Sequence, residues 1–454
     1  MPKVRVLVPN GALGLGFDPD ALSNGAAASP DIIAVDGGST DSGPSYLGRG
    51  VSKYSRATTK AEWRQLMRAR AKADVPLVIG TSGTCGSDSA VDWLFDITRE
   101  IAAELGQSLK VTRLYSGQSP QTVADALKAG RITPLPAAPE ISLETVQSCT
   151  NIVALAGAEQ IAAALETGAD IIIAGRTTDT AIIAALPLMR GCHAGAAWHG
   201  AKVGECGALA TTQPATGTIM IDFDETGFTF TPLGAGTRAT PYTVSAHMLY
   251  ENTDPFILYE PGGHLDVTAA TYVAIDDRQV RVEGSEWVPG PYTVKLEGAR
   301  ISGYQCVGLT LLRDRRYVEN AVAWTEDISR RCHAKIKAQM GLGADDYTVE
   351  LRLIGQNATL GYLETRTELP AEIGVLAIAT APSDAQAAEI GKILNPYLLH
   401  HALSEDEPMP TFAFPFSPAE MQRGALYEFV LNHVMALDDP MSAFRIVTDE
   451  VGHG

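Results

Sequence analysis

At 454 residues the chain is too long for a single compact core, so two or three domains are expected. A formal net charge of −18 excludes a nucleic-acid or anionic-membrane surface, since either needs a basic patch, and no apolar run approaches a membrane span. The composition, 45% apolar and 19% charged, is that of an ordinary globular protein, and six scattered cysteines with no CxxC pair and no signal peptide point to a reduced, cytoplasmic chain.

The first half alternates strands and helices. Strands are expected at 4–8, 32–35, 77–79, 111–115, 152–156 and 171–174, with amphipathic helices at 60–73, 88–105, 120–129 and 159–167. Alternation at this spacing predicts a parallel, doubly wound sheet with helices on both faces, a domain over 1–210. The segment 18–30 holds Pro19 and Asn24-Gly25 and reads as a poor helix. From 211 to 312 the period changes to β: segments 217–223, 228–232, 280–283 and 292–296 are alternating or β-branched, a β-rich middle region. The remainder, 313–454, returns to α/β. Strands at 302–312, 348–353 and 374–379 with helices at 318–340 and 384–401 follow the order of a ferredoxin-like, split β-α-β unit. The tail carries the aromatic, proline-rich 409–416 and a helix-or-strand ambiguity at 425–437. Such a segment packs across a domain or subunit surface, which fits a homo-oligomer.

Chemistry concentrates in the loops that follow the strands. The isoleucine run 171–173 reads as a strand buried on both faces, and it runs directly into Gly175-Arg176-Thr177-Thr178-Asp179. Ligands of α/β folds sit outside the carboxyl ends of the strands, so a cation, two hydroxyls and a carboxylate at that edge suit a site. The plainer alternative is a helix cap at Thr178 or Asp179. Related loops occur at Asn10-Gly11, at Asp36-Gly37-Gly38-Ser39-Thr40-Asp41, at Ser82-Gly83-Thr84-Cys85-Gly86-Ser87 and at Ser116-Gly117. Glycine admits close approach of a ligand and the hydroxyl and carboxyl groups supply hydrogen bonds. Asp36 and Asp41 suit a divalent cation or an acid–base pair, or else Asx turns. Glycines 11, 14 and 16 read G-x-x-G-x-G, so a dinucleotide fingerprint is absent, as is a P-loop.

Cys85 stands before the 88–105 helix, where a thiol acidifies, although Ser87 or Asp88 is more simply that helix's cap. His199, Lys202, Glu205 and Cys206 gather an imidazole, an ammonium, a carboxylate and a thiol within a few residues; Cys206 is a candidate nucleophile and Glu205 a candidate acid or base. The alternative is a glycine-bounded turn with a buried cysteine. His264 with Asp266 suits an oriented base, with a satisfied structural histidine the plainer alternative, and His400-His401 ends a helix where a cation suits the dipole. No zinc-ligand spacing is present.

Four stretches, Ala158 through Asp179, Glu205-Cys206-Gly207-Ala208, Tyr250-Glu-Asn-Thr-Asp254-Pro255 and Leu353-Ile-Gly-Gln-Asn357-Ala, resemble the acyclic terpene utilization AtuA family. The chain departs from the family at Lys202, where a histidine is frequent, at Pro261-Gly-Gly-His264, and at Ser82 to Ser87, implying a divergent branch with its own substrate. The resemblance implies catabolism of acyclic terpenes or other organic acids, and a small companion subunit.

The expected activity is hydratase or lyase chemistry on a small organic acid or its CoA thioester, needing no redox cofactor. Arg176 would grip a carboxylate, with Thr177, Thr178, Gly37, Gly38, Ser39, Thr40, Ser82, Gly83, Thr84 and Asn357 completing the binding site. Asp36 or Asp179, then Glu205 and Cys206, would act as acid, base or nucleophile. A divalent metal is a candidate cofactor, with Asp36, Asp41 and Asp179 its oxygen ligands. A cysteine hydrolase and a non-catalytic subunit of a catabolic complex are the alternatives.

Overall fold

The computed structural model describes residues 2–215 and 217–452. The chain is mixed α/β and divides into two compact units: one runs to Arg300 and resumes at Phe429, and the other is Ile301–Glu428.

The first unit is organised by a ten-stranded sheet. Its centre is five parallel strands in the order Val4–Val8, Ile32–Asp36, Leu77–Gly80, Ile171–Ala174 and Leu109–Tyr115. The isoleucine run explains the two-sided burial. Ile172 packs with Val78 and the helices Ala158–Glu166 and Ala181–Met189, while Ile171 and Ile173 pack with Leu94 and Ile97 of the helix Asp88–Leu105. All three side chains are fully buried, each worth roughly 1.5–3 kcal/mol.

The expected β-rich middle is not a separate layer. Strands Ile219–Phe223, Gly227–Pro232, Val280–Glu283 and Thr271–Ala274 extend the same sheet antiparallel from Val4–Val8, and Arg445–Val451 extends its other edge beside Leu109–Tyr115. Strand Cys149–Ala154 leaves the parallel set and pairs instead with the strand that begins at Thr293, Ala154 opposite Leu296. Strands Ile257–Glu260, Gly263–Asp266 and Glu286–Pro289 form a small antiparallel sheet. A helix does follow the first strand, at Pro19–Ala27. Asp18 caps it by accepting from the Asp20 and Ala21 amides, and Pro19 sits at its first position, where the missing N–H costs nothing. The end signals outweighed the poor interior.

The second unit runs from the later part of strand Thr293–Leu312 through helix Ala321–Met340, strands Thr348–Ile354 and Ile373–Ala381 and helix Asp384–His400 to the start of strand Glu420–Ala436. Ile373–Ala381 lies between Thr348–Ile354 and Thr293–Leu312, antiparallel to both. Trp324, Ile328, Val375 and Ile390 fill its core. The ambiguous 425–437 stretch is strand. Among the described residues no helix is long and apolar enough to cross a membrane, and the six cysteines are unpaired.

The loop after Leu77–Gly80 is tightly constrained. Thr81 and Thr84 adopt φ of 52° and 72°, unusual for residues with a Cβ, and Gly86 adopts 63°. A Cβ on Gly86 would lie 2.3 Å from the Arg176 backbone nitrogen. Gly86→Ala therefore combines left-handed strain with overpacking and is expected to cost about 3 kcal/mol. The thermal midpoint should fall by several degrees, and an unchanged midpoint would contradict the close approach.

Candidate active site

Strand ends bring Asn10, Asp36, Thr84 and Asp179 to one edge of the parallel sheet, and helix Ala194–Gly204 delivers Cys206 to the same place. They line a cleft of about 350 Å³, large enough for a small organic ligand. Gly38, Ser39 and Asp41 contribute to its wall, as do Tyr54, Tyr250 and Glu251. The cap reading of the 175–180 loop does not hold for Asp179. Thr180 occupies the N-cap of Ala181–Met189, without a side-chain cap bond, so the Asp179 carboxylate is available to the cleft.

Asp36 is strongly altered by its surroundings. It is 6% exposed, and its Oδ1 is buried without a hydrogen-bond partner. Burial, and then Asp179, hold its carboxyl well above the usual range, against the pull of Arg176 and the Gly38 amide. Asp179 is raised too, chiefly by burial, with Arg176 and Lys202 pulling it back. Asn10 Oδ1 and Thr84 Oγ1 are likewise buried without partners on this wall.

Arg176, expected to grip a substrate carboxylate, has an internal one. Its Nε and Nη2 donate to the two oxygens of Glu297 at 3.0 and 3.2 Å, and Nη1 donates to Thr81 Oγ1 at 3.2 Å. Both partners are buried. Thr40 donates to the same carboxylate at 3.1 Å, and Lys295 lies 3.3 Å away. Burial alone would raise Glu297, but Arg176 and Lys295 outweigh it and hold the carboxyl at about 2. A different cation, Lys53, stands exposed on the cleft wall.

Other expected ligands serve the loops. Ser82 Oγ donates to the Ala174 carbonyl at 2.7 Å, and the Thr177 amide donates to Thr81 Oγ1 at 3.3 Å. Thr178 and Thr180 hydroxyls lie 3.1 Å apart. A Cβ on Gly37 would meet the Thr81 carbonyl at 2.3 Å, so this glycine closes loop against loop. Gly83, in the left-handed region, packs against Ala90 and Ser52. Asn357 belongs to the second unit, in the turn after Thr348–Ile354. Cys85 is fully buried, its Sγ 3.4 Å from Ser87 Oγ, and Ser87 is the helix cap.

The 199–206 stretch splits. His199 is fully buried between Ser285 Oγ at 2.7 Å and the Tyr272 hydroxyl at 3.3 Å, a satisfied structural histidine that burial lowers to about 3. Lys202 and Glu205 form a buried pair at 2.5 Å, one helical turn apart. Burial raises Glu205 to about 8 against that pairing. The Cys206 thiol is pushed up by burial, then by Glu205 and Asp179, which disfavours the thiolate. The histidine in its reach is His247. Glu205, Cys206 and His247 present ligand atoms within 4.8 Å of one another, and among the described residues Asp36, Asp41 and Asp179 are not brought together in this way.

Sequence reasoning also missed Glu260. Its Oε1 accepts from Thr180, its Oε2 is buried without a partner, and burial raises it to about 7. Its only sequence signal was a strand end before Pro261-Gly-Gly. Because the folded value lies above the unfolded one, the folded state holds the proton more tightly. Stability is therefore fully present below about pH 4 and is lost as pH rises toward 7. Glu260→Gln should flatten that part of the stability–pH curve, by on the order of 1–3 kcal/mol at pH 8. Parallel curves for the two proteins in denaturant titrations would refute it.

Three of the four stretches that carry the family resemblance, those at 158–179, 205–208 and 250–255, supply residues to this cleft, and the fourth lies in the second unit. No curated protein and no solved structure matches the chain. The family profile described as acyclic terpene utilisation family protein AtuA matches residues 64–405, well over half of the sequence. The chain belongs to the acyclic terpene utilisation family AtuA.

Proposed function

We propose that this protein is a catabolic enzyme that adds water to, or removes it from, a small acyclic organic acid or its CoA thioester. The family is named for the utilisation of acyclic terpenes, a catabolic role. The observation that carries the reading is the pairing of Asp36 and Asp179 across one cleft, with Asp36 Oδ1 buried and unpartnered. The more strongly raised Asp36 is the acid, and Asp179, beside Arg176 and Lys202, is the base.

In the hydration direction Asp179 takes a proton from water as its oxygen bonds to the β-carbon of an unsaturated substrate. Asp36 delivers a proton to the α-carbon, and the two carboxyls re-equilibrate with solvent. Dehydration is the reverse. Arg176, committed to Glu297, positions the loops and lowers the cost of charge on Asp179 rather than binding substrate. Lys53 is the cation placed for an anionic group at the cleft wall. The raised Cys206 thiol disfavours a cysteine hydrolase. A doubly wound first unit, a ferredoxin-like second unit, a homo-oligomeric assembly and a small companion subunit belong to this reading.

Asp36→Asn should lower turnover by about 10²–10⁴-fold with the fold retained. A panel of acyclic enoic and 3-hydroxy acids and their thioesters in deuterated water provides the readout, as solvent deuterium incorporated at the α-carbon. Undiminished incorporation by Asp36→Asn would overturn the assignment.

A further inference from the structure

The Glu205, Cys206 and His247 group is not used by the acid–base chemistry above. Each arrives on a different local element. Glu205 is the C-cap of Ala194–Gly204, Cys206 precedes the short helix Gly207–Ala210, and His247 opens the short helix His247–Leu249. Their donor atoms lie within 4.8 Å of one another. Metal–ligand bonds of about 2.0–2.3 Å place tetrahedral donors some 3.5 Å apart, so small side-chain rotations would close the set.

A second observation concerns His247. The residue is 5% exposed, and its Nε2 is buried with no hydrogen-bond partner. The ring stacks on Tyr250 at 5.4 Å. Lys202 Nζ holds only Glu205 Oε1, leaving Oε2 for an ion. Among the described residues, Asp36, Asp179, Glu205, Glu260 and Glu297 gather around two buried cations, Arg176 and Lys202, with the partly exposed Lys295 beside Glu297, so acidic groups outnumber cations here.

We infer that Glu205, Cys206 and His247 bind one divalent transition-metal ion of the zinc class. Thiolate, imidazole and carboxylate together select zinc or a close relative over magnesium or calcium. Three protein ligands leave a fourth position, and Cys206 lines the cleft, so that position opens toward substrate. The ion's part in turnover rests on the cleft being the active site as proposed above; its binding does not.

Full-length protein stripped with chelator and titrated with Co²⁺ should take up one equivalent per chain. A thiolate-to-cobalt charge-transfer band should appear in the near ultraviolet, and Zn²⁺ should abolish it. Cys206→Ser should lose the band, and His247→Ala should weaken binding at least 100-fold. Asp36→Asn should bind as the parent does. No stoichiometric uptake by the parent, or equal uptake by both ligand variants, overturns the site. If instead the metal binds and Asp36→Asn keeps full turnover, the site stands and the acid–base reading fails.

Discussion

The Arg176–Glu297 pair is the constraint on which the cleft depends. Arg176 leaves the end of the central isoleucine strand, and Glu297 lies 121 residues later on a strand of another sheet. Thr40 and Thr81 join the same network from two further loops. Three loops and one strand thus meet at one buried ion pair. The pair is satisfied on both sides, and removing either partner would leave a buried, uncompensated charge, a loss on the order of 3–5 kcal/mol. Asp36 and Asp179, the proposed acid–base pair, flank the network and inherit its rigidity.

The parallel strands, their helices and the glycine-rich loops were legible because they are local. A run of three isoleucines, a serine before an amphipathic helix, and glycine after a strand each act within a few residues. The arrival of Asp36 and Asp179 at one cleft followed from the rule that α/β sites gather at the carboxyl ends of strands. What escaped was pairing at long range. Arg176 read as a free cation because nothing near it in sequence signals Glu297. Glu260 and His247 looked ordinary on short elements whose partners lie far along the chain. The strands at 217–223, 228–232 and 280–283 were recognised as strands and Thr271–Ala274 was not, and only register against Val4–Val8 and one another shows that they enlarge one sheet.

The chain carries an excess of acid, and the cleft concentrates it. Elsewhere many acidic groups face water or exposed arginines and lysines, as in Arg56–Glu100 and Arg352–Glu350, where each pair contributes little. Here Asp36, Glu205 and Glu260 are withdrawn from water without enough cations to match. Such carboxyls hold protons or attract ions, and both outcomes supply the means for moving a proton to or from a bound organic molecule.

The unadorned start of helix Ala181–Met189 bears on which of the paired acids ionises first. Thr180 makes no side-chain cap bond, so no side chain at the cap screens the first-turn amides. The aligned peptide dipoles end in partial positive charge at that terminus, worth about 0.3–1 kcal/mol to a nearby anion. Asp179 stands one residue before the cap, whereas Asp36 ends a strand and has no such terminus behind it. The asymmetry that acid–base work requires is therefore written into the peptide backbone, and it persists whichever side chains line the remainder of the wall.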